Sequence, residues 1–227
     1  RLGGRKVFEL IKPELDRTGV KLGRDRMFDL LRANNALVKR KKGRPKTTNS
    51  RHSLPVCKNL IRDFVPDAPN QAWVSDITYI DTEEGWMYAA LITDMYSRKI
   101  VGGHIGDSLE TEGCVKALQQ AAAELPKGAK PIHHSDRGCQ YCSHLYAEHA
   151  RLYGLRLSMT QEMHCYENAM AERVNGILKD EYDLDYKFRN KQQARAAFRQ
   201  AVELYNYRRP HLSLKYKIPG LVHAKVA

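Results

Sequence analysis

The chain has 227 residues, of which 42% are hydrophobic and 28% are charged, and its formal net charge at pH 7 is +12. A chain of this length and composition can bury one core of ordinary size plus a small appendage. No apolar run approaches the roughly 20 residues that cross a bilayer, and no signal peptide opens the chain, so we expect a cytoplasmic protein without a membrane partner. The excess of positive charge favours nucleic acid as the partner.

Residues 1–38 are predicted to form a small helical module. The segment from Arg5 to Leu15 carries apolar residues at helical spacing and is interrupted by Pro13, and a second such segment runs from Arg24 to Ala33. Two helices joined by a glycine-containing turn are typical of a helix-turn-helix, which lays its second helix in the major groove of DNA. A packing module that contacts no bases is the alternative.

Residues 39–66 are predicted to link this module to the main domain. Seven positive charges and no acid lie between Lys39 and Arg51, and we expect these side chains to contact DNA phosphates irrespective of base sequence. The Gly-Arg-Pro core of the run also resembles an AT-hook, which lies in the minor groove. Residues 53–64 are predicted to be a connecting helix. The predicted phosphate contacts of the linker are Lys39, Arg40, Lys41, Lys42, Arg44 and Lys46.

Residues 67–227 are predicted to form an α/β domain with a mixed sheet flanked by helices. Three segments rich in β-branched and aromatic residues, separated by short turns, indicate an antiparallel meander. Helices and strands then alternate along the chain. The predicted strands are 72–80, 86–93, 100–105, 131–136 and 155–159, and the predicted helices are 110–125, 144–153, 168–179 and 190–205.

The helix predicted at 168–179 carries an unusual polar stripe. At about 100° per residue, its apolar residues fall on one side, and four polar residues fall within about 60° of one another on the opposite side. An ordinary solvated helix face is the alternative interpretation. The polar stripe consists of Asn168, Glu172, Asn175 and Lys179.

Two aspartates are predicted to lie at strand ends on one rim of the sheet. Asp76 belongs to the first predicted strand and Asp136 closes the fourth, and a carboxylate at such a rim is accessible to a ligand. Asp94 lies at a hairpin end, where we expect it to serve the turn itself. His134 is two residues from Asp136 and therefore shares its face of the strand, which makes it a candidate for contact with a metal or a phosphate.

Four motifs occur in an order that identifies a family. They are Trp-Val-Ser-Asp-Ile-Thr-Tyr-Ile at 73–80, His-Ser-Asp-Arg-Gly at 134–138, Asn-Ala-Met-Ala-Glu at 168–172 with Lys seven residues later, and Tyr-Asn-Tyr-Arg-Arg-Pro-His at 205–211. From about Asp67 onward the chain closely resembles the insertion-sequence transposases of family three, whose catalytic domain is similar to retroviral integrase. The resemblance implies a ribonuclease-H-like fold and a cytoplasmic, nucleoid-associated bacterial protein.

The resemblance also implies a catalytic DDE triad that binds metal, carried by Asp76, Asp136 and Glu172, with Lys179 on a nearby phosphate. Two Mg²⁺ ions, for which Mn²⁺ substitutes, would stabilise the attacking and leaving oxygens of a phosphodiester displacement. The implied reaction cuts the ends of an insertion sequence and joins the resulting 3′-hydroxyl to another phosphodiester. Its partners would be double-stranded DNA and at least one further copy of the chain.

Further polar residues near these motifs are predicted to contact DNA. A hydrolytic ribonuclease-H-like nuclease and a catalytically silent DNA-binding regulator are the competing functions. The basic module and the 205–211 motif disfavour the first, and the presence of all three acids disfavours the second. Zinc at Cys139 and Cys142 is also possible by spacing, although free thiols are the simpler interpretation. The additional predicted DNA contacts are His134, Asn168, Arg173, Asn175, Arg208 and Arg209.

Overall fold

A five-stranded mixed sheet forms the centre of the computed structural model, which describes residues 2–37, 54–161 and 167–224. The strand order is β3-β2-β1-β4-β5, in which β1 to β3 form an antiparallel meander and the β1–β4 and β4–β5 pairs are parallel. The predicted meander and the mixed sheet are therefore confirmed. The strands are β1 (Ala72–Ile80), β2 (Met87–Asp94), β3 (Ile100–Gly106), β4 (Ile132–Ser135) and β5 (Arg156–Met159).

Helices pack on both faces of the sheet. Because successive strand residues point to opposite faces, Trp73 and Ile92 join the core under α3 and α5, whereas Ile80 and Leu91 join the core under α6 and α7. No helix in the described part of the chain is long and apolar enough to span a bilayer. The helices of this domain are α3 (Thr111–Ala123), α4 (Cys139–Cys142), α5 (His144–Leu152), α6 (Ala169–Glu181), α7 (Lys191–Tyr207) and α8 (Pro219–Ala224).

The N-terminal module contains α1 (Gly4–Thr18) and α2 (Arg24–Ala33). The predicted interruption at Pro13 is wrong, because α1 continues through this residue to Thr18. Pro13 is exposed. Water can therefore donate to the carbonyl four residues earlier, which receives no hydrogen bond from proline. Gly4 packs directly on α2, since a Cβ there would lie 2.8 Å from the Phe28 ring.

The connecting helix predicted for residues 53–64 is wrong, because the described residues from Leu54 onward contain no helix in this segment. The segment lies against β5 instead, where Leu60 N–H donates to Ser158 Oγ at 2.8 Å. Leu54 and Cys57 pack against the core on the side of α5. Contacts with an edge strand thus replace the hydrogen bonds that a helix would have made.

The Asp94 carboxylate organises the turn between β2 and β3. It accepts hydrogen bonds from Ser97 N–H at 2.7 Å, from Ser97 Oγ at 2.6 Å and from Asn70 N–H at 2.8 Å. Its side chain is fully buried, and His223 Nδ1 lies 3.8 Å from Oδ1. The predicted role of Asp94 in the turn is confirmed.

Replacing Asp94 by Asn should reduce the amount of unfolding free energy that the protein loses as the pH falls into the acid range. Burial alone raises the pKa of Asp94, but the nearby His223 and the hydrogen bonds from Ser97 and Asn70 outweigh burial and lower it below its ordinary value. A carboxylate with a lowered pKa stabilises the fold above its unfolded pKa of about 3.9, and this stability is lost as the pH falls through the folded pKa. Urea unfolding between about pH 6 and pH 3 should show a larger loss for the parent than for Asp94→Asn, and equal losses would contradict this role.

Candidate active site at the β1–β4 rim

Parallel pairing of β1 and β4 places two of the predicted acids side by side. Ser75 pairs with Ser135, so the residues that follow them, Asp76 and Asp136, lie at the same level of the sheet. Asp76 lies in the middle of β1 rather than at its end, because β1 continues to Ile80 as predicted. The rim exists because β4 is short and ends at Ser135. The part of β1 that follows Ser75 therefore has no β4 residue paired with it.

The environment of Asp76 is strongly electronegative. Burial raises the pKa of Asp76 to about 7, and the charge of Asp136, followed by the weaker effect of Glu172, acts in the same direction. Hydrogen bonds from Ile77 N–H to Oδ1 at 2.9 Å and from Asn175 Nδ2 to Oδ2 at 2.8 Å act in the opposite direction. Three carboxylates that influence one another in this way favour a bound cation.

Asp136 is held by the turn between β4 and α4. Gly138 N–H donates to Asp136 Oδ1 at 2.9 Å, and a Cβ at Gly138 would lie 3.0 Å from this oxygen, so the turn requires the close approach that glycine allows. Arg137 donates to Thr160 O at 2.6 Å and to Gln161 O at 2.8 Å, which ties the turn to the end of β5. Sequence reasoning missed this role of Arg137, although its position directly after Asp136 is a usable signal.

Helix α6 presents Glu172 from its first turn, with the side chain exposed. Asn168, which precedes the helix, donates from Nδ2 to Ser75 O at 3.0 Å, and Asn175 bonds to Asp76 one turn after Glu172. The helix is therefore fixed to β1 on both sides of Glu172. Half of the predicted polar stripe faces the sheet rather than solvent.

The side chains of four predicted DNA contacts are buried in the structure. The exposed fractions are 0% for His134, 2% for Asn168, 6% for Asn175 and 2% for Arg209. His134 Nδ1 shares a hydrogen bond with Ser158 Oγ at 2.8 Å, and burial lowers the pKa of His134 to about 4. Each of these side chains makes at least one hydrogen bond within the fold, as buried polar groups generally do.

Arg209 forms a buried ion pair with Glu181, the last residue of α6. Its Nε donates to Glu181 Oε2 at 2.7 Å and its Nη2 donates to Oε1 at 2.9 Å, while the guanidinium lies 5.6 Å from the centre of the Tyr205 ring. Lys6 Nζ of α1 also donates to Glu181 Oε1. Sequence reasoning missed Lys6 and Glu181, although Glu181 lies seven residues after Val174 and hence on the buried stripe of the helix.

The remaining predicted DNA contacts stay predictions. Arg173 and Arg208 are exposed, and Lys179 is half-buried in the last turn of α6. Cys142 Sγ lies 3.6 Å from Met159 Sδ in the core, whereas Cys139 is exposed. The predicted contacts that lie outside the described residues are Lys39, Arg40, Lys41, Lys42, Arg44 and Lys46.

The donor atoms at this rim suit a hard divalent cation. Asp76, Asp136 and Glu172 offer carboxylate oxygens, which Mg²⁺ prefers. The buried Oδ1 of Asn175 accepts no hydrogen bond from the described residues, so a further oxygen is available beside Asp76. Among the residues that the structure describes, no three acidic, histidine or cysteine side chains are close enough to hold one ion together. Coordination of one ion by all three acids therefore requires the three carboxylates to come closer together.

Comparison with known proteins places the chain among transposases. Two family models, each described as an integrase core domain, match residues 66–165 and 153–219. The insertion element IS600 uncharacterized 31 kDa protein of Shigella sonnei is 41% identical over 217 residues, which cover 95% of this chain and 80% of that protein. The transposase for insertion sequence element IS629 of Shigella sonnei is 34% identical over 91% of this chain and 68% of its own length. Transposase InsF for insertion sequence IS3A of Escherichia coli is 40% identical over 57% of this chain and 46% of its own length.

Solved structures share the fold at low sequence identity. The HTLV-2 integrase catalytic core domain in complex with magnesium has a TM-score of 0.54 and 20% identity, and the match covers 69% of this chain and 98% of that one. The simian T-cell lymphotropic virus intasome in complex with PP2A regulatory subunit B56 gamma has a TM-score of 0.58 and 18% identity, over 97% of this chain and 74% of that one. These matches confirm the ribonuclease-H-like fold. Since the IS600 and IS629 proteins match over most of both chains, the chain belongs to the insertion-sequence transposases of family three and is a DNA transposase of the DDE type.

Proposed function

We propose that Asp76, Asp136 and Glu172 are the catalytic acids of this transposase and that they hold two Mg²⁺ ions, for which Mn²⁺ substitutes. The observation that supports this most directly is the β1–β4 register, which sets Asp76 beside Asp136 while the charge of Glu172 acts on the same carboxyl group. When bound, the ions neutralise charge on the attacking and leaving oxygens of the phosphodiester. The protein then has to position the carboxylates and the DNA.

Several residues of the chain orient these carboxylates. Asn175 Nδ2 holds Oδ2 of Asp76, and Gly138 N–H holds Oδ1 of Asp136, so each aspartate has a defined direction before an ion arrives. Lys179 lies seven residues after Glu172 on the same helix. We assign to it a contact with a phosphate near the scissile bond, where a lysine acts as a compact point charge.

The proposed reaction has two steps on double-stranded DNA. Water first attacks a phosphodiester at the end of the element and leaves a 3′-hydroxyl, and this hydroxyl then attacks a phosphodiester of the target. We assign recognition of the element ends to the helical module at 1–38 and sequence-independent DNA binding to the linker at 39–66. The core at 67–227 carries out the reaction. Two ends must be held together, so we expect at least a dimer on DNA, and mass measurement of the complex with paired ends would test it.

A strand-joining assay on labelled element ends tests this function. A transposase gives both a shortened end and a longer joined product. A hydrolytic nuclease gives only the shortened end, and a silent DNA-binding regulator shifts the mobility of the DNA without changing its length. Joined product from ends of the matching element, absent when Mg²⁺ is removed, is the result that we expect.

The basic linker should account for much of the salt dependence of DNA binding. Neutralising Lys39, Arg40, Lys41, Lys42, Arg44 and Lys46 removes six proposed phosphate contacts, and each contact contributes about 0.9 to the slope of log affinity against log salt. Titrations of a long random duplex across salt concentrations should therefore show a shallower slope. Lys127→Gln with Lys130→Gln, in the exposed turn before β4, is the control and should leave the slope nearly unchanged. An unchanged slope in the linker variant would show that the run is only a solvated tether.

A further inference from the structure

The last residue of α6 is joined to two segments that are far away along the chain. The Glu181 carboxylate pairs with Arg209, which follows α7, and accepts a further hydrogen bond from Lys6 of α1. The exposed fractions of the side chains are 13% for Lys6, 8% for Glu181 and 2% for Arg209. Three parts of the chain therefore meet at one almost fully buried carboxylate. They are the N-terminal module, the catalytic helix and the segment after α7.

The charge balance around Glu181 makes this carboxylate essential to the meeting of the segments. The pKa of His211, which lies beside Tyr205, is lowered to about 3 by burial and then by four neighbouring cations. Without Glu181, Lys6 and Arg209 would face one another at low dielectric without this carboxylate between them. Glu181 is therefore the group that allows α1 to approach α6. The four cations are Arg209, Arg98, Lys6 and Arg173.

Helix α6 links this junction to the candidate active site. Glu181 lies nine residues after Glu172, which is about 13.5 Å along the helix axis. The helix contains no proline, so a displacement of its last turn is carried to its first turn. The three acids have to come closer together before they can share a cation, and the position of Glu172 depends on how α6 packs against the sheet.

We propose that Lys6 is a positioning residue for catalysis, because its bond to Glu181 seats the N-terminal module against the last turn of α6, the helix that carries Glu172. This inference rests on the proposed catalytic role of Glu172. It links the module to the chemistry of the core, since a module that leaves Glu181 removes one of the hydrogen bonds that hold the end of the catalytic helix. The module then acts on the rate of strand cleavage as well as on DNA affinity.

The variant Lys6→Met tests this coupling in the full chain. Met retains the apolar stem but removes the charge, and Glu181 keeps both bonds to Arg209, so the core should remain folded. We expect the single-turnover rate of end cleavage at saturating DNA to fall about tenfold. Lys116→Met is the matched control, because it removes the same charge from an exposed position of α3, outside the proposed DNA-recognition module, and should leave this rate unchanged. Lys6→Arg should restore the rate, since arginine can make the same bond.

Amide hydrogen exchange supplies a second readout that does not depend on activity. Amide exchange at the last turn of α6 should be faster in Lys6→Met than in Lys116→Met, while exchange in β1 should be equal in the two variants. Equal cleavage rates for these two variants, or a slower rate that the unfolded fraction alone explains, would overturn the proposal. If Glu172→Gln cleaves DNA, the assignment of the triad is wrong. If Glu172→Gln is inactive and Lys6→Met cleaves at the parental rate, only the proposed role of Lys6 is wrong.

Discussion

The Glu172→Gln variant should fold and bind element ends like the parent, and should lose both cleavage and joining. Gln keeps the size and shape of the side chain while removing its charge. Because Glu172 is exposed on the first turn of α6, the substitution should change the free energy of unfolding by no more than about 0.5 kcal/mol. Removing a charge that stabilises the transition state costs on the order of 10²-fold in rate or more. Cleavage and joining rates in Mg²⁺, measured beside DNA affinity, separate the two effects.

Metal substitution and a matched acid sharpen this experiment. Higher Mg²⁺ should rescue Glu172→Gln little, and Mn²⁺ somewhat more, because Mn²⁺ binds such sites more tightly. Glu112→Gln is the control, since Glu112 is also an exposed acid in the first turn of a helix and should be dispensable for cleavage. Near-parental cleavage by Glu172→Gln would show that another acid completes the triad. Glu167 and Glu181 are poor candidates because they bond to Arg62 and Arg209.

Two consecutive arginines should respond very differently to the same substitution. Arg209→Met removes the guanidinium that pairs with the buried Glu181, and removing one partner of a buried ion pair costs about 3–5 kcal/mol of unfolding free energy. We expect a loss near the lower end of this range, since Lys6 remains. Arg208→Met alters an exposed side chain and should change the free energy of unfolding by no more than about 0.5 kcal/mol.

Urea unfolding of the two variants, followed by tryptophan fluorescence, measures this contrast. DNA titrations should rank them the other way, because Arg208 is the exposed residue of the pair and its loss should lower the salt slope by about 0.9. Equal stability of Arg208→Met and Arg209→Met would contradict the structural role of Arg209.

The strands and the adjacent aspartates could be predicted because their signals are local. The run at 72–80 is rich in β-branched and aromatic residues and ends at turn residues, and β1 has the predicted bounds. Asp136 follows an equally clear short strand. The parallel pairing that brings Asp136 beside Asp76 follows from the α/β order of the elements, in which a helix crosses between the meander and β4.

The burial of polar residues could not be predicted, because their partners are remote in the sequence. Asn175 bonds to Asp76, 99 residues away, and Leu60 bonds to Ser158, 98 residues away. The local sequence around a polar residue looks the same whether its side chain faces water or bonds to a distant partner. Residues 53–64 are predicted to be a helix for the same reason. Their local sequence is compatible with a helix, but contacts with the remote strand β5 determine their conformation.

The β1–β4 pairing also determines where the chain tolerates changes in length. The two aspartates lie side by side because Ser75 pairs with Ser135, whatever the number of residues between them. The turn at 126–130, which contains Gly128 with a φ of 84°, is mostly exposed and precedes β4. A short peptide inserted there lengthens the connection without altering the pairing, so it is a suitable place for a fluorescent label. Deleting one residue within β4 has the opposite effect, because it turns Asp136 to the other face of the sheet.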